Sequence, residues 1–411
     1  MNAMRSAHSA FTHFPVVDGC LQIGGMPLTR LAQRVGKTPF YAYSRSAVAE
    51  RIQHLRNHLP AEILLHYSVK ANPMPALVQQ LAGLVDGFDV ASAGELKVAL
   101  DTPVEPKHVG FAGPGKSQAE LEQAVAAGVV IHLESESEVE RVARIGDLLG
   151  ITPRVTVRVN PDFEMKSSGM KMGGGPKQFG IDTEQVPLVL RKIGALGLDF
   201  QGFHIYSGSQ NLRPEAIMEA QSNTLDLAIR LAQDALAPVR LLNIGGGFGV
   251  PYFPGEAPLD LRPIGDNLDR LLPQVRTKLP EAEVVLEMGR YLVCEAGIYV
   301  CRVIDRKISR GQVFLVTDGG MHHNLAASGN LGQVIRKNYP VAVGNKMTGT
   351  KREIASVVGP LCTPLDLLAD KVEMAYAEAG DLIVVFQSGA YGLTASPTGF
   401  LSHLAPAEVL V

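Results

Sequence analysis

Residues 63–73 read ILLHYSVKANP, a largely apolar run that ends in a lysine, Lys70. Apolar runs with little polar alternation are typical of parallel strands that are buried on both faces of a sheet. Seven further strand-like runs follow along the chain, and linking segments separate them. The eight predicted strands are residues 63–69, 84–90, 107–111, 129–133, 154–160, 199–206, 239–244 and 283–288.

Several of the linking segments have the apolar spacing of helices, which predicts an α/β fold. The clearest are residues 75–81, 119–127, 136–149 and 214–235, and another helix at 46–58 precedes the first strand. Eight βα repeats over about 250 residues fit a TIM-type (β/α)8 barrel. A doubly wound sheet is the structural alternative, because a count of strands does not show whether the sheet closes.

The pattern changes after residue 288. Residues 298–304, 313–318, 353–358 and 382–386 are strand-like, with turn residues between them and few helical stretches. We therefore predict a barrel over residues 39–290 and a β-rich domain formed by residues 1–38 and 291–411. The strand-like segment 39–43 precedes the barrel and is a candidate to join the second domain.

Composition excludes several classes of protein. Of 411 residues, 46% are hydrophobic and 19% are charged, which is an ordinary globular balance. The net charge of −3 gives no basic excess for binding nucleic acid.

The four cysteines form no CxxC pair, so we predict neither a metal site nor a disulfide framework. The first residues lack the apolar segment of a secretion signal and no run is long enough to cross a membrane, so we predict a cytoplasmic enzyme.

The carboxyl ends of barrel strands are where active sites form, and the residues there are distinctive. Lys70 follows the first strand, where desolvation favours the neutral amine that forms Schiff bases. Residues 245–249, GGGFG, follow the seventh strand, and their amides could converge on an anion or simply form a tight turn. The eighth strand ends near Glu287 and Arg290, where TIM barrels often bind phosphate. A reactive amine and a phosphate site together indicate pyridoxal phosphate.

Six motifs occur in order along the chain: YSVKANP (67–73), GFDVASAGEL (87–96), NIGGGFG (243–249), EMGRYLV (287–293), DGGMHHN (318–324) and SGAYG (388–392). With these motifs the chain resembles the fold type III pyridoxal-phosphate enzymes, specifically the diaminopimelate and ornithine decarboxylase family. The resemblance extends from about residue 39 to residue 400.

The resemblance implies a role for each matching residue. Lys70 would form a Schiff base with the cofactor, and Glu287 would pair with its pyridine nitrogen and keep the ring a strong electron sink. Asp89 stands where the family keeps an acidic residue near the lysine, and Arg158 where it keeps a supporting arginine. The residues expected at the cofactor phosphate are Ser209, Gly246, Gly247, Gly289, Arg290 and Tyr391.

The motif GPLCTPLD at residues 359–366 matches the part of the family's β domain that supplies a cysteine. The resemblance implies that Cys362 reaches across a homodimer interface and protonates the substrate carbon after CO2 has left. Asp318 would then face the substrate amino group. Thr363 and Asp366 would lie on the substrate side of the same loop.

Two departures from the family pattern stand out. The family has His-x-Gly-Ser on the sixth strand, whereas this chain has HIYSGS at residues 204–209. The residue that stacks on the cofactor ring is therefore either His204 or Tyr206, and strand alternation points both to the same face. The second departure is Thr363, where diamino-acid decarboxylases carry an acidic residue for the distal amino group. A hydroxyl does not neutralise a buried ammonium group. Asp366, three residues on, could compensate but would approach the ammonium group from another direction.

The strings KANPMPALV (70–78) and GPLCTPLD are most similar to a smaller subgroup of decarboxylases. It includes enzymes associated with exosortase systems and a decarboxylase of glutamyl groups on an acyl-carrier protein. We therefore predict a pyridoxal-phosphate-dependent amino acid decarboxylase, with a modified or carrier-bound amino acid as a candidate substrate. The alternatives are a meso-diaminopimelate decarboxylase of lysine biosynthesis, an amino acid racemase and a non-catalytic regulator. Glu287 is evidence against the racemase.

Overall fold

Eight parallel strands close into a barrel in the computed structural model, which describes His8 and residues 13–165, 169–333 and 335–411. Each barrel strand pairs with its successor in the chain. The eighth pairs with the first through the register Val285↔Leu64, so the sheet closes and is not doubly wound. The barrel strands are Leu64–Ser68, Gly87–Val90, Val109–Phe111, Val130–Leu133, Arg154–Asn160, Asp199–His204, Leu241–Gly246 and Glu283–Met288.

The predicted strands coincide with these eight, and the predicted barrel is confirmed. The observed ends differ by a few residues because pairing, and not hydrophobicity, sets them. The seventh strand continues through two glycines, since Gly246 still pairs with Glu287. The sixth strand ends at His204, two residues earlier than predicted.

Some helices of the barrel begin and end at residues that satisfy free backbone groups. Ser117 and Glu120 form a reciprocal capping box at one amino terminus, and Gly128, with φ of 72°, ends the same helix. None of the described helices is both long enough and apolar enough to span a membrane. The helices within the barrel unit are Pro75–Leu81, Ala93–Leu100, Gln118–Ala127, Glu136–Leu149, Val186–Ala195, Pro214–Leu231 and Arg262–Lys278, and the helix Arg45–Arg56 precedes the first barrel strand.

A second compact unit contains most of the remaining chain. It comprises the described residues up to Arg51, together with Val250–Pro258 and Arg290–Val411, whereas Ile52–Gly249 and Leu259–Gly289 form the barrel unit. Its main sheet is largely antiparallel and has eight strands, in agreement with the predicted β-rich domain. The strands are Phe40–Tyr43, Gly297–Ser309, Gln312–Thr317, Val341–Val343, Arg352–Val358, Leu367–Ala375, Leu382–Val385 and Ala407–Leu410.

Both ends of the chain contribute to this sheet. Phe40–Tyr43 pairs with Gly297–Ser309 on one side and with Ala407–Leu410 on the other. The expected boundary at residue 39 placed this strand in the barrel, although segment 39–43 was also a candidate for the second domain. Its four buried residues belong to the second unit's sheet. A small sheet of Val16–Val17, Cys20–Ile23 and Met26–Pro27, followed by the helix Leu28–Val35, precedes it.

Candidate active site

Lys70 lies just beyond the first barrel strand, in the short 3-10 turn Val69–Ala71. Val69 and Ala71 on either side are buried, while 45% of the lysine side chain is exposed. Its ammonium nitrogen lies 4.0 Å from Oε1 of Glu287 and 5.7 Å from the centre of the Tyr206 ring. The amine is therefore held at the carboxyl end of the strands and stays accessible there.

Glu287 is a buried carboxylate on the eighth strand, 5% exposed. Its Oε1 accepts a hydrogen bond from the Ser68 hydroxyl at 2.7 Å, and its Oε2 lies 3.0 Å from Nε2 of His204. Burial and the charge of Asp89 raise the pKa of Glu287, but the hydrogen bond from His204 and the charge of Lys70 outweigh them and lower it. The carboxylate is therefore ionised at neutral pH and accepts from both neighbours.

The two candidates for the stacking position face different partners. His204 is 1% exposed and is directed to the carboxylate of Glu287. Tyr206, two residues beyond, presents its ring to the ammonium group of Lys70. The sixth strand ends at His204, so Tyr206 lies beyond it. The alternation of side chains along a strand, which predicted that both residues point to the same face, therefore does not extend to Tyr206.

The glycine turn at the end of the seventh strand, residues 245–247, has no room for side chains. Gly245 and Gly247 have φ of 69° and 82°, which favours glycine. A Cβ on Gly246 would lie 2.2 Å from the carbonyl oxygen of Glu287, and one on Gly247 would lie 2.3 Å from the carbonyl oxygen of Gly208. The hydroxyl of the next residue, Ser209, is buried and has no hydrogen-bond partner among the described residues.

The barrel unit therefore offers a primary amine, an ionised carboxylate near it, and a glycine turn beside an unused hydroxyl. These groups fit pyridoxal phosphate, because it needs an amine for its aldehyde, an acceptor for its protonated ring nitrogen and donors for its phosphate. The unpartnered Ser209 hydroxyl is the observation that supports a phosphate here, since buried polar groups are usually paired. The fold and these groups define a barrel enzyme of the pyridoxal-phosphate class.

Two other predicted residues have partners inside the barrel. Asp89 is bonded to two histidines, His66 and His132. Arg158 donates to Glu134 at 2.6 Å, and Glu134 in turn accepts from two backbone amides. Sequence reasoning missed His66, His132, Ser68 and Glu134, although polar residues within buried strands, or directly after them, are a usable signal.

Arg290 and Tyr391 are neighbours within the second unit. Arg290 directly follows Gly289, begins the short helix Arg290–Val293, and donates to the hydroxyl of Tyr252 at 2.6 Å. Its guanidinium carbon lies 4.7 Å from the centre of the Tyr391 ring. The arginine is thus held against two tyrosines.

Asp318 and Asp366 both bond to groups of their own unit. Asp318 accepts from the backbone amide of Arg302 at 2.8 Å and from the hydroxyl of Thr38. Asp366 is 3% exposed and accepts from the amides of Met321 at 2.6 Å and Leu361 at 2.8 Å. Each carboxylate therefore has both oxygens engaged by the protein, a role that sequence reasoning did not foresee.

The rest of the GPLCTPLD loop is more open. Cys362 is exposed, in contrast to the buried Cys294 and Cys301. Thr363 is half-buried, and its hydroxyl accepts from the amide of Leu365 at 3.3 Å. The loop therefore presents a thiol and one hydroxyl, while its aspartate, Asp366, anchors it.

Comparison with known proteins shows the family to which the chain belongs. The family model described as pyridoxal-dependent decarboxylase, pyridoxal binding domain, matches residues 45–294. The chain belongs to this family, and it is a pyridoxal-phosphate-dependent decarboxylase. The predictions of the cofactor and of the reaction class are thereby confirmed.

Its relatives differ in their substrates. The chain is 38% identical to the L-glutamyl-[BtrI acyl-carrier protein] decarboxylase of Niallia circulans, with 93% of this chain and 90% of the relative covered. It is 33% identical to the diaminopimelate decarboxylase of Aquifex aeolicus, with 96% and 91% covered. The crystal structure of the diaminopimelate decarboxylase of Helicobacter pylori, complexed with L-lysine, superposes on this chain with a TM-score of 0.82. The two sequences are 26% identical, and the match covers 93% of this chain and 94% of the other.

Proposed function

We propose that this decarboxylase acts on an amino acid whose distal end carries no free ammonium group, with a carrier-bound glutamyl group as the first candidate. The observation that carries the proposal is Thr363, which follows the exposed Cys362. A neutral hydroxyl offers one hydrogen bond but no charge to offset an ammonium group. The relative from Niallia circulans, named for a glutamyl carrier protein, supports the same substrate class.

The anchored aspartate supports this proposal. Asp366 is the one acidic residue in the loop 359–366, and both of its oxygens accept backbone amides. Burial raises the pKa of Asp366, while these two backbone amides act in the opposite direction. A Cβ on Gly320 or Gly359 would lie 2.0 Å or 2.3 Å from its oxygens, so the surrounding chain is fitted to Asp366. We therefore assign Asp366, and by similar contacts Asp318, to the structure of the unit.

Within the barrel we assign Lys70 to the cofactor aldehyde, Glu287 to the ring nitrogen and Tyr206 to the ring face. Ser209 and the turn at Gly246 and Gly247 would hold the phosphate. When bound, pyridoxal phosphate supplies an electron sink for the charge left at Cα as CO2 departs. The chain's own groups orient it, since Ser68 and His204 fix the carboxylate of Glu287. The roles of Gly289, Arg290 and Tyr391 at the phosphate stay predictions from the resemblance.

A homodimer and a cytoplasmic location also stay predictions. The exposure of Cys362 supports a thiol that serves a partner chain's site, because a catalytic group must be accessible to its substrate. Sedimentation of the purified protein tests the dimer directly.

A screen of CO2 release tests the proposed substrate class. It compares a glutamyl group on an acyl-carrier protein, free glutamate, meso-diaminopimelate, lysine and ornithine at equal concentrations. We expect the highest kcat/KM for the carrier-bound glutamyl group. Diaminopimelate is the second candidate, favoured by the relative from Aquifex aeolicus, and a preference for it would overturn the proposal.

Replacing Thr363 by Glu should move the preference toward diamino acids. The new carboxylate would supply the counter-charge that the loop lacks, and a charged hydrogen bond contributes about 1.5–3 kcal/mol. We expect kcat/KM for diaminopimelate to rise about tenfold relative to the glutamyl substrate. Thr350→Glu, at an exposed threonine of the same unit, is the matched control. An unchanged ratio in Thr363→Glu would show that residue 363 does not select the substrate.

Replacing Cys362 by Ala should leave cofactor binding intact and lower kcat. Loss of a positioned proton donor costs about a hundredfold. In D2O we expect the wild type to label Cα of the product with one handedness and Cys362→Ala to give a mixture. Cys20→Ala, at the half-buried cysteine of the small amino-terminal sheet, is the control. Retention of single-handed labelling in Cys362→Ala would remove this residue from the reaction.

A further inference from the structure

Three histidines and two carboxylates, one of which is Glu287, are buried on five strands of the barrel. His66, Asp89, His132, His204 and Glu287 come from the first, second, fourth, sixth and eighth strands. All five are between 1% and 5% exposed. So many titratable groups in a buried interior require defined partners, because an unpaired one is costly.

Asp89 links two of the histidines. Its Oδ2 lies 3.2 Å from Nδ1 of His66, and its Oδ1 lies 3.3 Å from Nε2 of His132. Burial raises the pKa of Asp89, but the bonds from His132 and His66 outweigh it and lower the pKa. The carboxylate is therefore ionised, and an ionised carboxylate only accepts, so both histidines donate to it.

His132 is held at both ring nitrogens. Besides the bond from Nε2 to Asp89, its Nδ1 lies 2.5 Å from the hydroxyl of Thr156. Burial and the charge of His204 lower the pKa of His132 to about 4, although Asp89 opposes them. A neutral ring that donates from Nε2 must accept at Nδ1, so one tautomer is selected.

Neighbouring strands leave space for this arrangement. A Cβ on Gly110 would lie 2.3 Å from Nε2 of His132 and 2.6 Å from Oδ1 of Asp89. A Cβ on Gly87 would lie 2.4 Å from Nε2 of His66. The second and third strands therefore carry glycine where any side chain would displace the cluster.

His204 packs against His132. The two rings pack with their centres 4.4 Å apart, and Nε2 of His204 bonds to Glu287 at 3.0 Å. Nδ1 of His204 is buried and has no hydrogen-bond partner among the described residues. Its ring is thus fixed by one hydrogen bond and by packing against His132.

We infer that His132 is a positioning residue. Held by Asp89 and Thr156, it fixes the ring of His204 and thereby the hydrogen bond that His204 gives to Glu287. The resemblance implies that Asp89 stands near the lysine, and in the structure Asp89 bonds to His66 and His132. The effect on the cofactor rests on the proposed role of Glu287, but the arrangement of the histidines does not.

The tautomer of His132 tests the arrangement in the cofactor-free protein. In 15N-labelled protein near neutral pH, we expect His132 to be neutral, with a protonated Nε2 and an unprotonated Nδ1. Its signals are assigned by their loss in His132→Gln. A protonated Nδ1, or a fully charged ring, would contradict the inference whether or not the proposed function is correct.

Thr156→Val tests the coupling with a minimal change in shape. Removing the hydroxyl frees Nδ1 of His132, so we expect altered signals for His132 and His204 and about tenfold weaker binding of pyridoxal phosphate. Thr183→Val is the matched control, because Thr183 is also buried but donates to the carbonyl of Asn160 at 3.1 Å. Identical histidine spectra and affinities for the two variants would overturn the inference.

Two substitutions of His132 separate positioning from space filling. The amide of glutamine can still donate to Asp89, whereas leucine fills space without donating. We expect His132→Gln to retain cofactor affinity within about threefold of the wild type and His132→Leu to lose more than about tenfold. Equal losses would show that the ring only fills space. Failure of the proposed role of Glu287 is recognised separately, by a wild-type kcat in Glu287→Gln.

Discussion

Lys70→Ala should abolish the visible absorbance of the bound cofactor and lower CO2 release by about a thousandfold or more. The amine lies at the carboxyl end of the first strand, 4.0 Å from Oε1 of Glu287, and alanine offers no nucleophile. Because 45% of the lysine side chain is exposed, we expect its loss to cost little stability. Absorbance spectra and a CO2 assay on the same protein measure both effects.

Lys107→Ala is the matched control for this experiment. Lys107 precedes the third strand, at the opposite end of the barrel, and pairs with Glu105 at 2.8 Å. Its side chain is 51% exposed, similar to that of Lys70. We expect a wild-type spectrum and activity. An unchanged spectrum in Lys70→Ala would remove Lys70 from the site.

Glu287→Gln should lower kcat by about a hundredfold or more while the cofactor stays attached. The substitution keeps the volume of the side chain and removes its charge, so the hydrogen bonds of Ser68 and His204 lose their ionised acceptor. A cofactor ring without a carboxylate at its nitrogen is a weaker electron sink. Steady-state kinetics and the spectrum distinguish this effect from loss of the cofactor.

Glu283→Gln makes the same chemical change at the other end of the same strand. Glu283 is exposed and begins the strand that Glu287 nearly ends. We expect this variant to have wild-type kinetics. A kcat near wild type in Glu287→Gln would show that the carboxylate does not support the ring.

The barrel was predictable from sequence because parallel strands that are buried on both faces leave long apolar runs. The strand Leu367–Ala375 was not predicted, since LLADKVEMA is half-exposed and carries charges that interrupt its pattern. The membership of Phe40–Tyr43 in the second unit depends on pairing with Gly297–Ser309, far away in the chain. Local sequence does not encode such a partner.

In the candidate site, too, some residues could be predicted from local sequence, whereas others depend on partners that are distant in the chain. Lys70 and Glu287 were predictable because each stands at the end of a buried strand and matches a motif. The anchoring of Asp366 was not, since its partners are backbone amides that any sequence provides. The His132 cluster left a weak signal, namely a polar residue in the run VIHL. Its meaning depends on Asp89 and Thr156, which come from other strands.

Borohydride reduction of the wild-type holoenzyme, followed by peptide mass spectrometry, tests most directly the central claim that Lys70 carries the cofactor. Reduction fixes the cofactor to the lysine that holds it. We predict one pyridoxyl group per chain, on the peptide that contains Lys70. The rival is Lys116, whose side chain is 1% exposed and whose pKa is lowered by burial. A pyridoxyl group on Lys116 or on any lysine other than Lys70, or none at all, would contradict the account.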